Sequence, residues 1–466
     1  MGPPKAVRTI SQQAFDEMVM ENIEDIGMNP AEALEDAVQT LTIQGVDLSG
    51  IVTCIPGDSS VNSHPVIQTI ERLKQLNLES TGKQDSDDVL KEIVELLDRL
   101  NGLCADEGSG HVVIANKNDG VKLVCSIFLK LRGGCNQGVI SSLKTLAKLL
   151  HDVQSTEAFR ESGGALAVVG VIKDNIQDVN ILDYGFSVVA AAATGNEVLK
   201  ESFMDLKIDE LIVQCLTEHA SGSIPYLYEA IQVLLTSDDN HVVASQVFGY
   251  ARKFAKIGVV EALVGSLSQG IGSPSLISAC NALKSIAVNE EICRAVADNG
   301  GIDALLSCID DSGQQGNQAF AKTCCSLLSK LAGSDANKCA IVEKRGMDRL
   351  VRLSLQFCNE PSVLQEIMSI ISVLCLRSPG NAARAIEAGA GDLAIQSMER
   401  FIESEQLQRN ACFMIRNLAV RNPENRDLLL ANGVEKLIRK AKSTHRSCKV
   451  AATDALRDLG VVNYNS

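Results

Sequence analysis

Residues 411–419, with the sequence ACFMIRNLA, belong to a segment that recurs along the chain. Residues 324–332 (CCSLLSKLA) and 367–375 (IMSIISVLC) carry apolar side chains at the same positions. In all three places an asparagine follows five or six residues later, and a glycine follows 14 residues later. A segment that returns with fixed internal spacing indicates a repeat protein.

The glycine gives the period of the repeat. Its positions are Gly120, Gly164, a glycine-less turn near Lys207, Gly258, Gly301, Gly346, Gly389 and Gly433. The spacing is 43 to 45 residues, except for 51 residues between Lys207 and Gly258. Such a period is typical of helical solenoids.

Three helices are predicted within one period. The first is short and ends at Gly389, which we expect to adopt the left-handed conformation that glycine takes without strain. The second covers about residues 392–402, and the longer third covers about residues 404–420. Proline is tolerated in the first turn of a helix, because the backbone N–H that it lacks would have no hydrogen-bond partner within the helix there. We expect starts of third helices at Pro225, Pro274 and Pro361, and turns before first helices at Pro379 and Pro423.

The repeats resemble the armadillo-repeat family through residues 415–419 (IRNLA) and 431–434 (ANGV), over roughly residues 110–460. Residues 15–26 (FDEMVMENIEDI) and 45–51 (GVDLSGI) look like the N-terminal segment of one member of that family, so the resemblance extends over the whole chain. It implies an all-α, armadillo-type helical solenoid, a right-handed superhelix with an N-terminal helical extension. It carries over no catalytic motif.

The expected organisation has four parts. Residues 1–60 form an acidic helical segment, with Asn29 as an N-cap and Pro30 as the first residue of a helix. Residues 61–108 form a degenerate capping repeat, residues 109–460 the repeat array and residues 461–466 a tail. The long spacing across residues 238–256 predicts an insertion, read as a neutral lengthening or as a binding element.

Composition excludes several classes of protein. Aromatic residues make up 3% of the chain and Trp is absent, which disfavours an all-β core. The net charge of −15 disfavours nucleic acid as a partner. No apolar stretch is long enough to cross a membrane, so we expect a cytoplasmic protein, in the cytosol, with the nucleus as a second location. The 15 cysteines are expected to be reduced thiols that pack in the core.

The sequence contains no recognisable catalytic, cofactor or metal motif. No phosphate-binding loop or nucleophile elbow is present, and the six histidines are scattered. The acid pairs Asp238-Asp239 and Asp310-Asp311 are expected to be solvated loop residues. We therefore predict no enzyme, no cofactor and no small-molecule substrate. A thiol-dependent enzyme stays open as an alternative, although the cysteines are expected to be packing residues.

The concave face of such a solenoid is made mainly by third helices and is the natural partner surface. Aligning the repeats on residues 415–419 places these candidate partner-binding residues on it: Lys144, Lys148, Tyr184, Asn281, Ser285, Lys322, Ser326, Lys330, Gln365, Ser369, Arg409, Phe413, Arg416 and Asn417. Their cations favour acidic segments of a protein partner, unless they are ordinary solvated helix residues.

The function predicted from this face is that of a non-enzymatic scaffold or adaptor. Importin-like armadillo proteins clamp basic peptides with repeated Trp and Asn, whereas this chain has no Trp and keeps Asn at that position only as Asn417. An atypical nucleocytoplasmic transport receptor is the alternative. A further possibility is that the acidic N-terminal helices compete for the same groove, since residues 1–105 hold 18 acidic and 7 basic residues.

Overall fold

The computed structural model describes residues 8–48, 50–53, 55, 64–79, 87–106, 109–219, 222–238 and 244–465. That part of the chain contains 28 α-helices. The two-residue strands β1 (Arg8–Thr9) and β2 (Val46–Asp47) pair in parallel, with Arg8 opposite Val46. The all-α helical solenoid predicted from the sequence is confirmed.

Four helices precede the regular repeats: α1 (Gln12–Glu24), α2 (Pro30–Ile43), α3 (Pro65–Glu79) and α4 (Asp87–Leu103). Asn29 caps α2 as predicted, since its side-chain oxygen accepts a 3.0 Å hydrogen bond from the backbone nitrogen of Glu32. Helices α1 and α2 close a small apolar core of their own around Phe15, Val19 and Leu41. Residues 56–63 and 80–86 lie outside the described residues.

Each repeat then contributes three helices. The first helices are α5 (His111–Lys117), α8 (Val153–Glu161), α11 (Glu197–Asp205), α14 (Ala244–Lys256), α17 (Glu290–Asp298), α20 (Asp335–Glu343), α23 (Pro379–Glu387) and α26 (Pro423–Ala431). The second helices are α6 (Gly120–Leu131), α9 (Gly164–Asp174), α12 (Ile208–Glu218), α15 (Val259–Leu267), α18 (Gly301–Gln314), α21 (Gly346–Gln356), α24 (Ala390–Arg400) and α27 (Val434–Thr444). The third helices are α7 (Asn136–Leu149), α10 (Val179–Ala193), α13 (Pro225–Leu234), α16 (Leu276–Ile286), α19 (Gln318–Leu331), α22 (Pro361–Cys375), α25 (Glu405–Ala419) and α28 (Lys449–Asp458). Two 3₁₀ turns, Gly270–Gly272 and Arg446–Cys448, precede α16 and α28.

The chain divides into two compact units. The first comprises residues 1–211 and 237–242, and the second comprises residues 212–236 and 243–466. In the first unit α7 packs between α4 and α10. In the second unit α13, α16, α19, α22, α25 and α28 pack in that order, each against the next. Each unit therefore contains its own ladder of third helices.

The recurring asparagine holds the end of each preceding third helix. Its side-chain nitrogen donates to the main-chain oxygen of a buried leucine at the end of that helix, where carbonyls have no partner within the helix. The pairs are Asn337 with Leu331 (3.0 Å), Asn381 with Leu374 (2.9 Å) and Asn425 with Leu418 (2.9 Å). The asparagine is thus an architectural residue of the repeat.

The recurring glycine has two roles, of which the sequence predicted one. Gly389 adopts the expected left-handed conformation, with φ of +101°. One repeat earlier Arg345 takes that conformation instead, with φ of +60°, and Gly346 begins the next helix. A Cβ on Gly346 would lie 2.7 Å from the main-chain oxygen of Ile341, so glycine is required there for close approach.

The proline expectations are partly corrected. Pro225 and Pro361 begin third helices as predicted, whereas Pro274 precedes Leu276, the first residue of α16, by two positions. Pro379 and Pro423 are the first residues of α23 and α26, so their predicted place in the preceding turns is wrong. The first backbone N–H groups of a helix have no partner within it, which makes this position suitable for proline.

The cysteines of the repeats lie mostly in the core, as predicted. Cys280, Cys324, Cys325, Cys375 and Cys412 are buried. Burial raises the pKa of the Cys375 thiol to about 12, because the interior disfavours the thiolate. Thiols in such surroundings are poor nucleophiles at neutral pH.

Candidate functional site

The third-helix face of the second unit carries a row of predicted residues on three neighbouring helices. Lys322 on α19 and Arg409 on α25 are exposed, and Gln365 on α22 lies between them, half-buried. The main-chain oxygen of Gln365 accepts a 3.1 Å hydrogen bond from the side-chain nitrogen of Asn410. Two helical turns further along, the side-chain nitrogen of Asn417 donates to the main-chain oxygen of Ser372 at 2.9 Å. Both bonds span 45 residues, so α22 and α25 keep one register over two helical turns.

The next row combines an aromatic ring with small polar side chains. The guanidinium of Arg409 lies over the ring of Phe413, 5.5 Å from its centroid. Ser369 on α22 and Ser326 on α19 occupy the corresponding positions and are half-buried. The ammonium of Lys284 on α16 donates to the hydroxyl of Ser326 at 2.6 Å, which links two neighbouring third helices.

The remaining predicted residues of this unit lie at the ends of the rows. Asn281 and Ser285 on α16 are half-buried, and the Ser285 hydroxyl donates to the main-chain oxygen of Asn281 at 3.2 Å. Lys330 at the end of α19 is exposed. Lys322, Lys330 and Arg409 therefore face solvent alongside a polar, largely uncharged floor.

Arg416 and Asn417 are held by contacts inside the ladder. The guanidinium of Arg416 pairs with Asp454 at 3.3 Å and with Asp458 at 3.0 Å, both on α28. Arg457 pairs with the same two carboxylates, each at 3.0 Å. The side-chain nitrogen of Asn417 also donates to the hydroxyl of Ser372 at 3.0 Å. The guanidinium of Arg416 and the side-chain amide of Asn417 are thus bonded to acceptors on neighbouring helices.

In the first unit, Lys144 and Tyr184 come together. The ammonium of Lys144 on α7 lies over the ring of Tyr184 on α10, 4.7 Å from its centroid. Both residues are half-buried, and Lys148 is exposed one turn further along α7. This is the same combination of a cation and an aromatic ring that Arg409 and Phe413 form in the second unit, and such pairs add a modest attraction.

The N-terminal helical pair reaches the repeats at a first helix. The ammonium of Lys117 on α5 donates to the main-chain oxygen of Gly50 at 2.8 Å. A Cβ on Gly50 would lie 2.6 Å from a methyl group of Val113, so the backbone packs closely on α5. This contact places residues 50–53 against a first helix.

A buried ion network within the first unit was missed in the sequence. Lys200 on α11 is fully buried and pairs with Glu197 at 3.0 Å and with Asp238. The backbone nitrogen of Gly195 donates to the Asp238 carboxylate at 2.8 Å, and the backbone nitrogen of Asp238 donates to Glu197 at 3.2 Å. Asp238 lies in the loop after α13 and is exposed, as predicted, but its carboxylate also pairs with the buried Lys200, which the sequence did not predict. A lysine next to the buried Leu199 was the available signal.

The second acid pair is also corrected. Asp310 and Asp311 lie inside α18 rather than beyond its end, and Asp310 pairs with Arg349 of α21 at 3.2 Å. Of the predicted insertion at 238–256, residues 239–243 lie outside the described residues, and residues 244–256 form α14. Asp239 therefore stays a prediction.

Metal-binding clusters and membrane spans are both absent from the part of the chain that the structure describes. Among them, no cluster of three or more His, Cys, Asp or Glu side chains is arranged to hold a metal ion. None of the helices in the described part of the chain combines the length and apolar character that a membrane span requires.

Comparison with known proteins supports the resemblance seen in the sequence. Residues 7–75 match the family model described as the Armadillo repeat-containing protein 6 N-terminal domain. This match covers α1, α2 and most of α3, outside the regular repeats. The chain is similar to armadillo repeat-containing protein 6.

Curated relatives extend the similarity into the repeats. Armadillo repeat-containing protein 6 of Pongo abelii is 29% identical over 393 residues, which cover 80% of this chain and 75% of that protein. The human protein of the same name is 28% identical over the same shares. The Drosophila melanogaster homolog is 25% identical and covers 82% of this chain and 80% of its own.

A solved structure supports the fold alone. The crystal structure of an engineered protein superposes with a TM-score of 0.63 at 16% identity. It covers 85% of this chain and 99% of the engineered one.

Proposed function

We propose that this armadillo-repeat protein is a non-enzymatic adaptor that binds acidic segments of protein partners on its third-helix faces. The observation that carries the proposal is the row formed by Lys322, Gln365 and Arg409. Two exposed cations flank a hydrogen-bonding amide on three neighbouring helices of one unit. A segment crossing those helices meets positive charge at both edges, which favours carboxylates.

The internal contacts of Arg416 and Asn417 argue against a basic-peptide clamp. Asn417 is already bonded to Ser372, and the carboxylates of Asp454 and Asp458 are already paired with arginines. A basic peptide would have to compete for acids that have cationic partners. An acidic segment would find Lys322 and Arg409 facing solvent.

The proposal is tested by reversing the three cations together. The variant Lys322→Glu, Lys330→Glu and Arg409→Glu should lose protein partners at low ionic strength, and the loss should be smaller at high salt because exposed charges are screened. Exposed pairs are worth about 0–1 kcal/mol each, so single reversals should have small effects.

A matched control reverses three exposed cations elsewhere in the second unit, Arg252, Lys256 and Arg352. It makes the same change in net charge and should keep the partners. If the variant with Lys322→Glu, Lys330→Glu and Arg409→Glu folds normally and retains every partner, the third-helix face is not the binding site. Saturable binding of wild type to nuclear-pore repeats or to the small import GTPase would favour the transport receptor instead.

A further inference from the structure

The second helix of the last repeat, α27, has an excess of cations over its whole length. Lys436 and Lys440 are exposed one turn apart, and Arg439 and Lys442 are half-buried between and beyond them. Glu435 is the one acidic residue of this helix. The helix belongs to the second unit and lies outside the third-helix ladder that carries the proposed function.

The segment after α28 lies across α27. Arg439 donates from its two terminal nitrogens to the main-chain oxygens of Val462 at 3.2 Å and Asn463 at 3.3 Å. The ammonium of Lys442 donates to the main-chain oxygen of Tyr464 at 2.7 Å. Three successive carbonyls of residues 461–465 therefore accept hydrogen bonds from two cations of α27.

A carbonyl oxygen is a weaker partner for these cations than a carboxylate. Arginine and a carboxylate carry opposite charge and can form two parallel hydrogen bonds, which a neutral carbonyl cannot match. The exposed Lys436 and Lys440 add attraction for further acidic groups in the same strip. The Nε of Arg439 also donates to the Glu435 carboxylate at 2.8 Å, so an acidic segment laid along α27 would compete with the carbonyls of residues 462–464 for the terminal nitrogens of Arg439 and for the Lys442 ammonium.

We propose that α27 is a docking surface for an acidic protein segment, and that residues 461–465 form a strap that such a segment displaces. Charge complementarity favours this partner, because α27 carries four cations and only one carboxylate, that of Glu435. A protein segment fits better than nucleic acid, since the surface offers few cations and the whole chain has a net charge of −15.

The probe for the test is a fluorescein-labelled octaglutamate peptide, followed by fluorescence anisotropy at low ionic strength. Binding is measured in chains that already carry Lys322→Glu, Lys330→Glu and Arg409→Glu, so that the third-helix face does not contribute. The variants are a chain ending at Gly460 and the double reversal Lys436→Glu and Lys440→Glu. The control is Arg252→Glu and Lys256→Glu, which reverses two exposed cations with the same four-residue spacing.

The shortened chain should bind the peptide at least about threefold more tightly, because the strap no longer competes for Arg439 and Lys442. The Lys436 and Lys440 reversal should weaken binding about tenfold at low salt and less at high salt. The control should change the affinity less than about twofold.

Unchanged affinity in a folded shortened chain would overturn the strap. A double reversal that behaves like its control would overturn the docking surface, even if the shortened chain fails to fold. Duplex DNA that displaces the peptide in competition would overturn the choice of a protein partner. Because the third-helix cations are reversed throughout, failure here leaves the proposed function standing, and its own test decides it separately.

Discussion

Replacing Leu418 by alanine should destabilise the C-terminal repeats selectively. Leu418 is fully buried in α25, and its main-chain oxygen accepts the hydrogen bond from Asn425. The substitution removes three carbon atoms from a core in which α25 packs against α22, α26 and α28. At about 0.8 kcal/mol for each buried carbon, the transfer contribution alone is about 2.4 kcal/mol.

The cavity left behind adds to this cost when neighbouring helices cannot collapse into it. The total expected loss is therefore about 3 to 5 kcal/mol. Leu428 on α26 provides the matched control, because its side chain is 47% exposed and truncating it leaves no enclosed cavity. Leu428→Ala should cost about 0.5 kcal/mol or less.

The assay is hydrogen exchange read out helix by helix with mass spectrometry. Solenoid stability is roughly a sum of each repeat and its interfaces with neighbours, so the loss should be confined mainly to α25–α28. Protection of α16 and α19 should stay close to wild type. Exchange that rises equally in α16, α19 and α25, or a Leu428→Ala effect as large as that of Leu418→Ala, would refute this reasoning.

Three further predictions concern charge and thiol chemistry. Asp238→Ala should lower the free energy of unfolding of its unit by about 2 to 3 kcal/mol, because the fully buried Lys200 loses a charged partner; an unchanged melting curve would contradict this. Burial and the nearby His111 lower the pKa of His64 below 6.5, so the native state resists protonation and stability should fall as pH drops through 6.5. In His64→Asn, hydrogen exchange of α3 should show a smaller pH dependence. Iodoacetamide should label the exposed Cys358 at least about 100-fold faster than the buried thiols, as measured by mass-spectrometric mapping. A buried thiol that reacts faster than Cys358 would favour the alternative of a thiol-dependent enzyme.

Local sequence pattern was sufficient for the helices and their period. Apolar spacing near 3.6 residues and capping residues act within a few positions of one another, so they can be identified without a partner helix. The cap at Asn29 and the helix start at Pro30 were predicted for this reason. The period then followed from repetition, since each repeat buries the same face against its neighbour.

Some residues owe their role to a contact that is distant in sequence. The sequence showed where these residues are, but not what they do. The asparagine at 337, 381 and 425 was recognised as a recurring residue of the repeat. Its hydrogen bond to the end of the preceding third helix could not be predicted, because that bond depends on how the two helices pack. Gly346 looked like a left-handed residue, yet Arg345 has that conformation. Only the distance to the carbonyl of Ile341 shows why glycine is needed there.

The sequence by itself determined the repeat, its three helices and the position of the residues on the third-helix faces. Tertiary structure decided which of those side chains face solvent and which are engaged. Lys322 and Arg409 are exposed, whereas Arg416 is paired with Asp458, 42 residues away on the next third helix. The physical reason is that helical periodicity fixes the face on which a side chain lies, while its partner depends on the rotation and register of the neighbouring helix.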